Sequence, residues 1–569
     1  MPHICKVLHM LQRGTPLLFV AMVFWSFAVV EIAQAKTGFL VVAPDRGALG
    51  NQDITSLFAE FSASYAPASL AFVGRDYRGV GSEYSQYVSR ALIELREAGA
   101  TSVVAIPLFV SSADPILQRV KASLPAYEYV DRIDWAQSMS ESYLIGQVVM
   151  DRAAELSRDA DHEQVVIVGF GATDEANEKA LQADVGKLSE YLARYRRFRE
   201  SRTLVYYDQA SPMAEAKNAS ADAIMTQMAA KKGHALVIFA TLGPKFDHTM
   251  ALTSSLRNRF QEMNVSFSLH ELVPHPNVLR WMKKSANAYL PAATEEIGVV
   301  IMPHGANLIW NDAVERMIGP LTSTYQVEMA YGMGDSVTIQ HAVDRLETRN
   351  VRRIVFVRLY ALARHLKDRT DYVLGLSNAP PSSGHGGHDG GRTPPQQIRS
   401  ASLFASFGGY EESPEVARIL HERIMQLSRE PAQETVLLIA HGDRTDEGNA
   451  QWLSVMQAHI ERLRQDPHCA QVKAIRAATV REDWPEQRDK AVKQIRLMIE
   501  EASKNGRALL VADRLYGAGP YKQLFEGLDY TLNDQGLAHP ALTEWLRTGI
   551  DRAVAAIAQP AENNKVTAR

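Results

Sequence analysis

The sequence predicts an α/β protein made of four similar lobes, each a small parallel sheet flanked by helices. Short apolar runs alternate with longer segments whose apolar residues have helical spacing, which is the pattern of strands joined by crossover helices. The alternation recurs with a period of about 130 residues, close to the size of a small domain. Fold class and repeat number therefore follow from periodicity alone.

Each copy opens with an apolar strand and a loop, and an Asn follows seven or eight residues later. The four openings are residues 41–44 with Asn51, 167–170 with Asn177, 301–304 with Asn311, and 438–441 with Asn449. A third strand follows a helix and a small turn in each copy, at residues 102–106, 235–239, 354–357 and 508–511. Each copy then closes on a helix, and a His-Pro pair opens two of these helices, at His275 and His539. The predicted lobes span residues 37–160, 161–293, 295–430 and 433–560.

The composition is that of an ordinary soluble globular protein. Of the 569 residues, 46% are hydrophobic and 22% charged, and the formal net charge of −4 predicts no nucleic-acid partner. The sequence has no Gly-x-Ser-x-Gly nucleophile motif. The glycine-rich segment at residues 384–391 neither follows a strand nor opens a helix, so it is not a phosphate-binding loop.

The N-terminal residues have the pattern of a secretory signal peptide. Lys6 and Arg13 precede an apolar run over residues 16–30, and Ala33-Gln34-Ala35 is a small-x-small cleavage pattern. We expect cleavage after Ala35 and an exported, periplasmic protein. The alternative is an uncleaved N-terminal anchor, which would be the protein's one contact with a membrane.

Cysteine usage is sparse. Cys5 and Cys469 are the two cysteines, and cleavage would remove Cys5, so the mature protein would have no internal disulfide. Cys469 stands beside His468. The pair could bind a metal ion or be incidental.

Two histidines follow strands of the third lobe. The apolar run 299–302 ends in Pro303-His304-Gly305, and the run 354–357 leads to His365. Because ligands of parallel sheets bind beyond the carboxyl ends of the strands, both imidazoles should lie on one edge, as half of a divalent-metal site. The alternative is that His304 only caps the following helix.

Residues 377–397 interrupt the repeat with a segment rich in Gly, Ser, Pro and His. Nothing in it is expected to bury a core, so it is predicted to be a mobile loop. His385, His388 and Asp389 could collect a metal ion weakly and deliver it. The alternative is a linker whose histidines have no role.

The fourth opening resembles that of the CbiX/SirB-type class II chelatases, which read His-Gly-Ser-Arg, an acidic stretch and then Asn. Here the residues are His441-Gly442-Asp443-Arg444, followed by an acidic stretch and Asn449. Residues 303–305 and 359–365 resemble the two histidine-bearing segments of that family, and Pro107-Leu108-Phe109 matches the start of the second. The resemblance recurs in each of the four lobes and so covers essentially the whole mature chain.

The resemblance implies a function. The family inserts Co2+, Fe2+ or Ni2+ into sirohydrochlorin or a related tetrapyrrole without ATP, and it needs no cofactor beyond that substrate metal. Two lobes of the family's fold face each other across the cleft that takes the macrocycle. Four lobes would therefore be paired into two bilobal modules, with a tetrapyrrole and a divalent metal ion as partners.

The resemblance also assigns residues. The histidine pair is complete only in the third lobe, so His304 and His365 are the expected metal ligands and catalytic residues. His441 would face them across the cleft, for proton transfer or for holding a substrate carboxylate; a structural histidine is the alternative. Arg364 and Arg444 could pair with tetrapyrrole carboxylates or be solvated.

The first module departs from the family pattern. His248 in the second lobe lacks its partner histidine, which favours a structural role; with Asp208, its only plausible companion, it would otherwise form a degenerate second site. The carboxylate that some relatives place after the second strand is also missing near Met333 in the third lobe. Glu328 and Asp335 are alternatives. A different function would be an exported carrier of metal or tetrapyrrole with the same fold and no turnover.

Overall fold

The computed structural model describes residues 36–129, 131–231, 233–243, 252–381, 393–515 and 517–560. The predicted signal segment, residues 1–35, lies outside the described residues. Within the described part of the chain, no helix is long and apolar enough to cross a membrane.

In the described residues, sixteen strands are each followed by a helix, and this alternation forms four lobes of four strands. Lobe 1 comprises β1 (Lys36–Pro44), α1 (Gly47–Ser62), β2 (Ala68–Val73), α2 (Ser85–Glu97), β3 (Ala100–Pro107), α3 (Pro115–Ser123), β4 (Arg132–Trp135) and α4 (Tyr143–Leu156). Lobe 2 comprises β5 (Gln164–Ala172), α5 (Glu175–Tyr195), β6 (Glu200–Tyr207), α6 (Ala214–Ala230), β7 (Ala235–Phe239), α7 (Leu252–Phe260), β8 (Val265–Phe267) and α8 (Pro276–Asn287).

The second half of the chain repeats this order, with one additional short helix, α14. Lobe 3 comprises β9 (Ile297–Met302), α9 (Leu308–Ile318), β10 (Gln326–Met329), α10 (Ser336–Glu347), β11 (Arg353–Arg358), α11 (Lys367–Val373), β12 (Leu403–Gly408) and α12 (Pro414–Leu427). Lobe 4 comprises β13 (Glu434–Ala440), α13 (Asp446–Leu463), α14 (Pro467–Gln471), β14 (Ala474–Thr479), α15 (Pro485–Lys504), β15 (Arg507–Ala512), α16 (Tyr521–Leu524), β16 (Thr531–Asn533) and α17 (Pro540–Ile557).

The predicted fold class is confirmed: the structure contains four parallel sheets of four strands each. Their strand orders are β2-β1-β3-β4, β6-β5-β7-β8, β10-β9-β11-β12 and β14-β13-β15-β16. The first strand of each lobe is central and apolar, and every residue of β9 and β13 is buried. Strands covered by helices on both faces are expected to be continuously apolar, which is why the sequence shows them as apolar runs.

The sheets are paired, as expected, into two modules, each with one shared core. Apolar residues of β1 and β5, such as Phe39 and Ile167, belong to one cluster. Ile301 of β9 and Leu438 of β13 belong to another. The opposite face of every sheet has a separate core of its own, for example that around Val300 in lobe 3.

Within each module the two lobes exchange their last helices. In α17 of lobe 4, Thr543 Oγ1 donates to the carbonyl oxygen of Met317 in lobe 3 at 2.7 Å. The Trp545 ring lies 5.9 Å from that of Phe407, also in lobe 3. In return, Arg423 of α12 donates to the carbonyl oxygen of Gly536 in lobe 4. The exchange holds the carboxyl edges of the two sheets toward each other.

The repeated residues noted in the sequence have structural roles. His275 and His539 are the N-caps of α8 and α17, and each ring Nδ1 accepts a backbone N–H at 3.1 Å. The repeated Asn closes the loop after the first strand. Its side-chain oxygen accepts the backbone N–H of Arg46, Thr173, Ala306 and Asp443 in lobes 1 to 4.

The His-rich segment is anchored at its C-terminal end. Gln147 of α4 donates to the carbonyl oxygen of Gln397 at 2.7 Å, and Gln397 is only 2% exposed. The last residue of the segment thus packs against the first module through a polar side chain, and the expectation that the segment buries no apolar core stays a prediction. Residues 382–392 lie outside the described residues.

The shared core predicts a large cost for truncating an exchanged helix. Leu546 of α17 is fully buried in the core of lobes 3 and 4. We expect Leu546→Ala to lower the free energy of unfolding by about 2–5 kcal/mol in urea denaturation. The control is Leu497→Ala in α15, whose side chain is 65% exposed and whose truncation should change stability by less than about 0.5 kcal/mol. Equal effects of the two changes would contradict a core that depends on α17.

Candidate functional site

His304 and His365 flank the topological switch point of lobe 3. β9 and β11 are neighbours in the sheet, and the chain leaves them toward opposite sides, to β10 and to β12. His304 follows the end of β9 after Pro303, and His365 lies in the loop between β11 and α11. A crevice outside the carboxyl ends of the strands at such a point is where open α/β sheets bind ligands.

The tautomers of His304 and His441 are set by the adjacent glycine. Nδ1 of His304 lies 2.6 Å from the carbonyl oxygen of Gly305, and Nδ1 of His441 lies 3.0 Å from that of Gly442. Both glycines have positive φ, at 81° and 86°, which turns the carbonyl back toward the ring. Nδ1 therefore carries the proton, and Nε2 is the nitrogen that can accept a metal ion or a proton.

His365 reaches the fourth lobe. Its Nε2 lies 3.8 Å from Oδ2 of Asp443, and Arg364 Nη2 donates to the same oxygen at 3.3 Å. The Trp452 ring of α13 lies 6.0 Å from the imidazole. Burial opposes the charge on Asp443, but the N–H of Thr445 and the charge of Arg364 outweigh it and lower its pKa. Asp443 is thus an ionised carboxylate beside His365.

The loop that carries His365 is anchored by a hydrogen bond to the side chain of Glu411. Glu411 Oε1 accepts the backbone N–H of Ala363 at 2.7 Å. The carbonyl oxygen of Glu411 in turn faces His459 Nε2 at 2.9 Å, and His459 Nδ1 lies 3.5 Å from Asp513. Burial opposes the charge on His459, and the neighbouring Asp513 outweighs burial and raises the pKa of His459. The position of His365 therefore depends on lobe 4 as well as lobe 3.

His441 and Asp483 form a second pair on the side of lobe 4. His441 follows β13 directly, and Asp483 lies in the loop between β14 and α15, with 3.1 Å between Nε2 and Oδ2. Burial opposes the charge on His441, but the bonds to Asp483 and Gly442 outweigh it and raise its pKa. The pKa of Asp483 is lowered, chiefly by His441, and the charge of His304 contributes across the cleft.

The carboxylates of this site are ones that sequence reasoning missed. It expected them in lobe 3, but Glu328 pairs with Arg345 and Arg349, and Asp335 caps α10. Asp443 and Asp483, both in lobe 4, lie nearer the histidines. Asp483 follows the second strand of its lobe, the position at which a carboxylate was expected but missing in lobe 3. Applying that rule to the fourth copy would have found it.

The other predicted residues are placed less centrally. Arg444 is exposed, and its backbone carbonyl accepts from Arg481. Asp208 forms an ion pair with Arg75 at 3.2 Å. The remaining candidates, His248, His385, His388 and Asp389, lie outside the described residues.

Lobes 1 and 2 are joined directly at the corresponding edges. Arg46, after β1, donates from Nε to the carbonyl oxygen of Gly243 at 3.0 Å. Asn177 Nδ2 donates to the carbonyl oxygen of Ala113 at 2.7 Å, and Arg75 meets Asp208. Hydrogen bonds and an ion pair therefore join lobes 1 and 2 at the same sheet edges that carry histidines and carboxylates in the second module.

Comparison with known proteins adds little. No protein-family model matches the chain, and no curated protein matches it. Among solved structures it is similar to SirB from Bacillus subtilis with Fe3+, with 15% identity and a TM-score of 0.34, over 44% of this chain and 96% of that chain. A similarity of this size carries no argument, so the function rests on the site itself.

The His441–Asp483 pair predicts a measurable titration. We expect NMR titration to give His441 a pKa above about 6.5, and Asp483→Asn to lower it. Because the pKa of His441 is raised and that of Asp483 lowered, the stability from this pair is complete between about pH 4 and 6.5. It is lost as the pH rises through the folded pKa of His441 or falls through that of Asp483. The control is Asp489→Asn, an exposed change on α15. An unchanged His441 titration in Asp483→Asn would contradict the pairing.

Proposed function

We propose that the cleft between lobes 3 and 4 inserts a divalent transition metal into a tetrapyrrole without ATP, as a class II chelatase does. The metal is Co2+, with Fe2+ or Ni2+ as alternatives, and the macrocycle is sirohydrochlorin or a relative of it. One observation carries the proposal. His304 and His365, at the switch point of one sheet, face Asp443, Asp483 and His441 of another lobe.

The histidines suit the capture and release of the metal. Neutral imidazole prefers Co2+, Ni2+ and Fe2+ to Ca2+ or Mg2+. The glycine carbonyl that holds Nδ1 of His304 orients Nε2 outward, as the outer contacts of metal ligands usually do. Two imidazoles leave coordination positions open for water and for the incoming ring nitrogens, which a site that passes its metal on requires.

The carboxylates and His441 suit the proton chemistry. Insertion forms bonds between the metal and the four ring nitrogens and breaks two pyrrole N–H bonds, so two protons must leave. His441 takes a proton on Nε2 more readily because Asp483 lies 3.1 Å from that atom and stabilises the imidazolium. Asp443, ionised beside His365 and Arg364, balances the charge of the arriving ion, and the second proton leaves to water.

An exposed apolar surface beside His304 suits the macrocycle. Leu308 and Ile309 open α9 and are 74% and 65% exposed, and Val337, in the first turn of α10, is 60% exposed. These helices follow β9 and β10, so the three side chains lie at the same edge as His304. Apolar side chains grouped near a polar site often mark a binding surface. Arg364 and Arg444 would pair with the carboxylates of the substrate.

The second candidate function is a carrier that binds metal or tetrapyrrole outside the cytoplasm without turnover. The signal-peptide pattern before Ala35 favours it, because an exported protein is separated from cytoplasmic tetrapyrrole synthesis. The two functions share the same ligands and differ in whether insertion occurs.

The metal ligands can be tested by insertion of Co2+ into sirohydrochlorin, followed by the change in its absorption spectrum. We expect His304→Ala and His365→Ala each to weaken Co2+ binding at the cleft by about 100-fold or more, since even outer contacts of metal ligands contribute 10- to 100-fold. The double variant should lose insertion but cost less than the sum of the single changes, because the ligands act on one ion.

The matched control for this test is His162→Ala, which removes an exposed imidazole in the first module that pairs only with Asp159 among the described residues. It should leave insertion unchanged. Full insertion by the double variant would refute the site. Metal binding without insertion in the unaltered protein would establish the carrier function instead.

His441 should act on proton transfer more than on metal affinity. We expect His441→Ala to lower the insertion rate at saturating Co2+ about 100-fold or more, the usual contribution of a positioned acid or base. Co2+ affinity, measured by calorimetry, should change by less than tenfold. A loss of Co2+ affinity as large as that of His304→Ala, with no separate effect on rate, would make His441 a ligand rather than a proton acceptor.

A further inference from the structure

A second group of metal-binding side chains lies away from the cleft. It consists of His421 on α12, Asp466 at the N-cap of α14 and Cys469 within α14. One ligand atom from each residue lies within 4.8 Å of the other two. The metal insertion proposed above uses none of them.

The three side chains are held in place by their surroundings. His421 Nε2 is buried, lies 3.3 Å from Asp466 Oδ1 and makes no hydrogen bond to the described part of the chain. Asp466 Oδ1 accepts the backbone N–H groups of His468 and Cys469, at 2.9 and 3.1 Å. Arg464 Nη1 donates to the carbonyl oxygens of Cys469 and Val472, at 2.9 and 2.7 Å, and so closes the turn around the thiol.

The sequence neighbour of Cys469 is not its partner. His468 Nε2 lies 2.9 Å from Ser428 Oγ, whereas His421, 48 positions earlier in the chain, supplies the imidazole beside the thiol. Adjacency in the sequence therefore does not identify the imidazole that groups with the thiol.

We propose that His421, Asp466 and Cys469 bind a divalent ion of intermediate softness, Zn2+ or Co2+, separately from the insertion cleft. A thiolate, an imidazole and a carboxylate are the donors that Zn2+ takes in proteins, and hard ions such as Mg2+ do not take thiolate. Metal–ligand distances of about 2.0–2.3 Å place tetrahedral ligand atoms roughly 3.3–3.8 Å apart. The existing 3.3 Å between His421 and Asp466 fits, and a contraction of about 1 Å would seat the remaining pairs.

Binding at this site is chemically balanced without a redox partner. The Cys469 thiol loses its proton to solvent as the metal–sulfur bond forms, and the ion exchanges three of its waters for the three side chains. A fourth position keeps water. Cys469 itself is fully buried, so its sulfur meets the ion from the protein side.

This second site and the cleft lie at opposite ends of the strands of lobe 4. The turn that contains Cys469 leads into the amino end of β14, whereas His441 follows the carboxyl end of β13. The seven residues of β13 span roughly 20 Å. An ion here would tie α12, which comes from lobe 3, to α14 of lobe 4. It would thus reinforce the helix exchange that holds the cleft together.

The test uses Co2+ as the probe, because a cysteine thiolate bound to Co2+ gives a charge-transfer band in the near ultraviolet. The full chain carries Cys5→Ser, His304→Ala and His365→Ala, so that Cys469 is the only thiol and the cleft ligands are absent. We expect one equivalent of Co2+ to produce the band and Zn2+ to abolish it by displacement. His421→Ala should remove or weaken the band, with affinity at least about 100-fold lower.

His468→Ala is the matched control, because it removes the adjacent imidazole that bonds Ser428, and it should keep the band. Histidines elsewhere in the chain, including the His-rich segment, cannot produce a thiolate band. Co2+ binding without the band, or a band of equal strength and affinity in His421→Ala, would overturn the proposal. If Cys469→Ser does not fold, the proposal is still tested by comparing the band of His421→Ala with that of the chain that retains both Cys469 and His421.

A last measurement separates this proposal from the insertion function. Cys469→Ser alone, with His304 and His365 intact, should retain insertion activity where it folds and lose the thiolate band. If the protein proves to be a carrier without turnover, the band is still expected. If the band is absent while insertion proceeds, only the second site is refuted.

Discussion

The structure depends on the apolar core that each pair of sheets shares. β9 and β13 each contribute a fully buried strand to one core, and the last helix of each lobe packs on the other lobe. If the last helix of either lobe left its place on the partner lobe, this core would be exposed to water. The same packing turns the carboxyl edges of two sheets toward each other, so the cleft is a consequence of the core.

That constraint explains why the two modules differ in chemistry while sharing an architecture. In both, residues that follow the first strand of one lobe meet the loop after the third strand of the other, and an Asn closes each first-strand loop by accepting a backbone N–H. In the first module an arginine and an asparagine bridge the gap to backbone carbonyls. In the second module, imidazoles and carboxylates meet there instead. The scaffold therefore fixes where side chains meet, and the loop residues decide what they do.

The two proposed metal sites differ in exposure and in donor atoms, as expected of one site that passes its ion on and another that keeps it. His304 is exposed, and His365 retains partial exposure, so an ion held there has open coordination positions and a route to a substrate. Cys469 is fully buried, its thiol would ionise as a metal–sulfur bond forms, and three side chains approach one point. A softer and more complete donor set retains its ion. A protein with both could hold one metal ion structurally while passing on another.

Periodicity and apolar runs along the chain determined the fold class and the fourfold repeat. They also led to His304 and His365, because parallel strands place their carboxyl ends on one edge whatever the tertiary packing. What they left undetermined were contacts between lobes. Asp443 meets His365, and the charge of His304 reaches Asp483, only because the shared core opposes two sheets. Glu328 takes no part in the site because two arginines of its own lobe pair with it. Cys469 likewise meets His421 rather than His468, since α12 crosses onto lobe 4. Local pattern is set by residues near in sequence, whereas these partners are brought together by burial of apolar surface between lobes, which only the tertiary structure decides.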